Sequence, residues 1–148
     1  MTKVIIYNNE KGNVALMTPI LTEINPSTGK TFTIEEVAAK DVPSGTEYKI
    51  VDTSTLPDDL TFFDAWKRSG ETVIEDLAQS KSIAHDTRRE KRAAEFKPHD
   101  EVISLNVPGS DTSAAETSRA AIRTKYATMQ TNIDNATDIA GIKTALGG

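Results

Sequence analysis

Three groups of residues have types and spacings that could do chemistry. Ser27-Thr28-Gly29-Lys30-Thr31 ends like a phosphate-binding loop, in which backbone amides and a lysine hold nucleotide phosphates. That motif requires a glycine five residues before Gly29, where Ile24 stands, and the following helix is better started at Thr33 than at Lys30. Pro26-Ser27-Thr28-Gly29 is ordinary turn chemistry, so the segment reads as a turn. His85 and His99 each have acidic neighbours, Asp86 for one and Asp100 with Glu101 for the other. Zinc or iron needs three or four converging ligands, and side chains adjacent in sequence rarely converge, so both histidines read as solvated. Serines and aspartates for a Ser–His–Asp arrangement exist, but no Gly-x-Ser-x-Gly elbow does. No catalytic residue, metal ligand or cofactor site is assigned, and a non-enzymatic protein that binds other protein chains is expected.

The net charge of −5 argues against a nucleic-acid partner, which would favour a basic surface. Residues 1–72 carry 7 basic and 11 acidic side chains, residues 73–110 carry 6 and 7, and residues 111–148 carry 4 and 4. The acidity is therefore in the first half. The one basic concentration, Arg88-Arg89-Glu90-Lys91-Arg92, is interleaved with Asp86, Glu90 and Glu95. It reads first as a solvated helix face with ion pairs such as Asp86–Arg89, and second, through Arg88 and Arg92, as a contact for an acidic protein partner. There are no cysteines, which fits synthesis in a reducing cytoplasm. No apolar stretch approaches the roughly 20 residues that span a bilayer, so a soluble chain without a membrane partner is expected.

The elements that must position these residues fall into two halves. Val4-Ile5-Ile6-Tyr7, the loop Asn8-Asn9-Glu10-Lys11-Gly12 and residues 13–18 read as a β-hairpin. Thr33-Ile34-Glu35-Glu36 matches a capping box opening a short helix that runs to about Lys40 and stops before Pro43. Tyr48-Lys49-Ile50-Val51 has the composition of a third strand. Phe62-Phe63-Asp64-Ala65-Trp66 holds three of the chain's 8 aromatics. A helical turn there puts Phe62 and Trp66 on one face, and these two with Tyr48 and Ile50 are the expected core. The pattern from Val73 to Phe96 is helical and ends at Pro98. Val102-Ile103-Ser104-Leu105 looks extended. A second long helix should begin after Pro108-Gly109, capped by Asp111 or by Ser113 with Glu116, and a last short helix should follow Thr137-Asp138 and stop at Gly147. The reading is an α+β protein: a small N-terminal β-containing domain, residues 1–72, and a C-terminal helical hairpin or bundle, residues 73–148, with a connector at 97–110.

Ile122, Tyr126, Met129 and Ile133 recur at spacings of four, three and four, so they form one apolar ridge on the second long helix. Within the chain only the helix 73–96 is long enough to cover it, and that helix offers almost no apolar side chain from His85 to Arg92. The ridge is therefore expected to contact another chain in part, either a second copy or a different protein, with Tyr126 and Met129 central.

The stretch Val42-Pro43-Ser44-Gly45-Thr46-Glu47-Tyr48-Lys49-Ile50-Val51-Asp52, followed by Leu56-Pro57-Asp58-Asp59 and Thr61-Phe62-Phe63-Asp64-Ala65-Trp66, resembles a pattern in small proteins encoded among the tail and tail-fibre genes of tailed bacteriophages. Ile122-Arg123-Thr124-Lys125-Tyr126-Ala127-Thr128-Met129-Gln130 is similar to the helical ends of such proteins. The segments cover about a third of the chain, and the basic residue usual after the Pro-Asp pair is Leu60 here. The resemblance carries no catalytic residue. It implies a virion (tail) location after synthesis in the host cytoplasm, with tail or tail-fibre proteins as partners. Two other roles fit it: a tail-fibre assembly chaperone absent from the mature virion, and an inhibitor of a host protein.

Overall fold

A computed structural model describes residues 2–109 and 111–147; Met1, Ser110 and Gly148, and with Ser110 the last residue of the expected connector, lie outside the described residues. The chain is α+β and divides into two compact units, Met1–Asp76 and Leu77–Gly148.

In the first unit, β1 (Lys3–Asn8) is the middle strand of an antiparallel sheet, between β2 (Val14–Met17) and β3 (Tyr48–Asp52). The β1–β2 hairpin forms as expected: Asn9 Oδ1 accepts from the amides of Lys11 and Asn13, and Gly12 takes φ +79°. Successive strand residues point to opposite faces, so a middle strand covered on both sides must be apolar at every position. That accounts for Val4, Ile5 and Ile6, all buried. Val4 and Ile6 join Val14, Val51, Trp66 and Val73 in one cluster. Ile5 joins Val37, Ala38 and Val42 in the other, where Tyr48 and Ile50 pack half-buried.

The second face is covered by α1 (Ile34–Asp41), whose start is the expected capping box. Thr33 Oγ1 accepts from the Glu36 amide at 3.2 Å, and Glu36 Oε2 accepts from the Thr33 amide at 2.8 Å. The first face is covered by a second, two-stranded sheet, β4 (Trp66–Ser69) with β5 (Thr72–Glu75). This corrects the expected helix start at Val73, and the boundary expected after residue 72 would cut β5. Gly70, at φ +61°, holds the first central position of a two-residue hairpin loop between Ser69 and Thr72, a backbone conformation that favours glycine. The expected helical turn at the aromatic cluster is only a 3-10 turn, Phe63–Ala65, and Trp66 already lies in β4. Phe62 and Trp66 are both fully buried, and the Phe63 and Trp66 rings meet at 4.9 Å.

The second unit is an antiparallel helical hairpin, α2 (Leu77–Leu105) and α3 (Thr112–Asn135), with α4 (Ile139–Ala145) folded against both. Two expectations fail here. Pro98 lies inside α2 rather than ending it, and Val102-Ile103-Ser104-Leu105 is helical rather than extended. An internal proline removes one backbone hydrogen bond and crowds the preceding turn, at about 3 kcal/mol. Contacts to α3 on both sides of it hold the helix together: Phe96 lies under the Arg119 guanidinium at 5.7 Å, and Asp100 pairs with Arg119 at 2.9 Å. The caps of α3 and α4 are those expected, with Asp111 accepting from the Ala114 amide and Asp138 from the Gly141 amide.

Candidate functional site

The turn that ends like a phosphate-binding loop has spent its amides on itself. The Ser27 amide donates to Asn25 Oδ1, those of Thr28 and Gly29 to the Asn25 carbonyl, and that of Lys30 to Thr28 Oγ1. A phosphate cradle needs several of these N–H groups pointing outward together. The helix after the turn starts at Ile34, and its first turn is closed by the Thr33–Glu36 capping box.

Both histidines lie on α2, 14 residues apart, and at 1.5 Å per residue that is about 21 Å, too far to share an ion. His85 is engaged on both ring nitrogens: Nε2 meets Asp134 Oδ1 at 2.8 Å, and Nδ1 accepts from Arg88 Nε at 3.4 Å. The ring bridges α2 to the end of α3 as a structural contact. Among the described residues no group of three or more His, Asp or Glu is arranged to hold a metal ion.

The ridge on α3 is covered from within its own unit. Ile122, Tyr126 and Ile133 are 8%, 2% and 0% exposed, and only Met129 keeps partial exposure. The expectation of incomplete coverage fails because α2 supplies small side chains rather than large ones. Ser80 and Ala84, both fully buried, give close approach along the face that continues to Arg88, and α4 adds the fully buried Ile142. Polar pairs seal the seam. Tyr126 donates its hydroxyl to Glu95 Oε1 at 2.7 Å, Lys125 pairs with the same carboxylate, and Lys91 donates to the Leu146 carbonyl at the end of α4. The Lys125 and Tyr126 hydrogen bonds hold Glu95 below the usual carboxylate range. Lys125 is raised by Glu95, and Tyr126 is raised by burial and then by Glu95.

The two arginines separate. Arg88 is 7% exposed and spent on His85, so it is not a surface contact. Arg92 is exposed and stacks at 5.1 Å on Phe96. The expected Asp86–Arg89 pair forms at 2.6 Å.

The surface that sequence reasoning missed is the segment 18–33. Ile20, Leu21 and Ile24 are 62%, 43% and 60% exposed, while Asn25 in the same loop is buried at 9%. The available signal was apolar residues outside any helix or strand period, ahead of a turn whose asparagine can satisfy its own backbone. No family model, no curated protein and no solved structure matches the chain.

Proposed function

We propose that this chain is a non-enzymatic, tail-associated bacteriophage protein that docks on tail or tail-fibre proteins as a virion component. The observation that carries the reading is the resemblance of Val42–Trp66 to small proteins of the tail and tail-fibre gene neighbourhood. Its residues have structural work in the first unit: Val42 caps α1, Tyr48 to Asp52 form β3, and Trp66 closes one face of the sheet. A shared pattern of this kind marks a common scaffold, with binding carried by the loops around it. The test is mass spectrometry of purified particles of a phage encoding the chain. The expected result is the protein at fixed stoichiometry with other tail proteins. A protein that co-purifies with the fibre protein but is absent from particles is an assembly chaperone, and one that co-purifies with a host protein is an inhibitor.

A further inference from the structure

We infer that the loop of residues 18–33, with the cleft it forms against α1, is a docking site for a protein segment bearing an apolar anchor beside lysine or arginine. This deepens the reading of the chain as an interaction protein and rests on it.

The loop is ordered by its own polar chemistry. Asn25 donates through Nδ2 to Glu36 Oε1 at 3.2 Å, tying the loop to the first turn of α1. The Asn25 amide donates to the Lys30 carbonyl, the Phe32 amide donates to the Glu23 carbonyl, and Ile24 bridges to Thr31. The result inverts normal polarity: the amide side chain faces inward and three large aliphatics face water. Single exposed aliphatics are ordinary, but three within five residues on a pre-ordered loop form a patch of the kind that marks interaction sites. Because the loop is already fixed, a partner does not have to supply the cost of ordering it.

The cleft beside the patch has a volume of about 270 Å³, with Met17, Phe32 and Val37 among its lining residues. That is just under the roughly 300 Å³ at which small-molecule pockets begin, and suits one side-chain anchor from a larger partner. Charge selects the kind of partner. Among the residues lining the cleft, Lys40 pairs with Asp41 at 3.6 Å and stacks on Phe32, which leaves Glu23 as the uncompensated charge; Lys30, exposed in the same loop, does not line the cleft. Residues 1–76 as a whole hold 7 basic and 13 acidic side chains, so the unit's field attracts cations. Three of the other exposed aliphatics, Val102, Leu105 and Val107, lie among Asp100, Glu101 and Asp111, so that part of a second copy would bring like charge to the rim.

The test is a titration of the full chain, with labelled Ile and Leu methyl groups, by a short amphipathic peptide of leucine and lysine and by its counterpart with glutamate at each lysine. Expected are saturable shifts of the Ile20, Leu21 and Ile24 methyls with the lysine peptide, and binding at least about tenfold weaker for the glutamate peptide. Ile20→Asp and Ile24→Asp, at exposed positions, should keep the circular dichroism spectrum and lose the shifts. Equal response to both peptides, no response, or shifts only at Leu105 would overturn the proposal. Shifts of the loop methyls with protein concentration alone would show that a second copy covers the patch, and would overturn it too. Absence of the protein from virions leaves these shifts untouched, so the two readings fail separately.

Discussion

Residues 1–76 and 77–148 bury their apolar side chains in opposite ways. In the first unit a middle strand is covered on both faces, by Trp66 and Val73 on one side and Val37, Ala38 and Val42 on the other. In the second, a narrow stripe on α3 meets small residues on α2, and ion pairs and a tyrosine hydroxyl close its edges. The first arrangement depends on a few bulky plugs. The second depends on helix continuity and on a polar seam whose three titrating groups, Glu95, Lys125 and Tyr126, are all shifted. Three exposed aliphatics of the first unit, Ile20, Leu21 and Ile24, share one ordered loop, whereas Val102, Leu105 and Val107 of the second lie near the turn between α2 and α3.

The largest effect should come from the plug. Trp66→Ala should cost about 3–5 kcal/mol, the usual range for removing a buried large aromatic, and unfold the first unit. In an amide correlation spectrum the signals of residues 2–76 should collapse while those of the helical hairpin persist. Loss of both sets would show that the two units do not fold independently.

Pro98→Ala tests helix continuity with the opposite sign. Pro98 is exposed, and alanine restores the missing amide, so the thermal midpoint of the second unit should rise by the equivalent of about 1–3 kcal/mol. A fall would mean that the proline's local shape is what brings Asp100 onto Arg119.

Thr33→Ala removes half of the capping box and should lower the stability of the first unit by about 1 kcal/mol in a denaturant titration, with the second unit unchanged.

The smallest effect is the response of the polar seam of the second unit to pH. Glu95 is held below its ordinary value of 4.5, so its contribution is present above that pH and is lost as the pH falls through the lower folded value. Tyr126 and Lys125 are raised, so theirs is present at neutral pH and lost at strongly alkaline pH. Helix unfolding in the second unit should therefore become easier in acid. Tyr126→Phe should partly flatten that acid limb, and an unchanged profile would show that the tyrosine hydroxyl does not contribute to it.

Much of the fold was legible because its signals are local. The β1–β2 hairpin, the Thr33–Glu36 box, the third strand and the caps at Asp111 and Asp138 each depend on residues within a few positions of one another. The misses share the opposite character. Helical periodicity and a short strand are hard to tell apart over four residues, so Thr72–Glu75 passed for the start of a helix until its pairing with β4 decided it. The candidate site was less legible still, because apolar periodicity marks residues that will be covered but not what covers them.

By itself, then, the sequence determined the α+β class and the caps and turns, the turn at residues 26–29 among them, since these follow from backbone hydrogen-bonding rules acting over short range. Only the tertiary structure decided that α2 continues past Pro98, because the contacts offsetting the lost hydrogen bond come from α3. Only the tertiary structure decided, too, that Ile122, Tyr126 and Ile133 are interior while Ile20, Leu21 and Ile24 are not. Burial depends on which distant surfaces arrive, and no spacing along one segment records that.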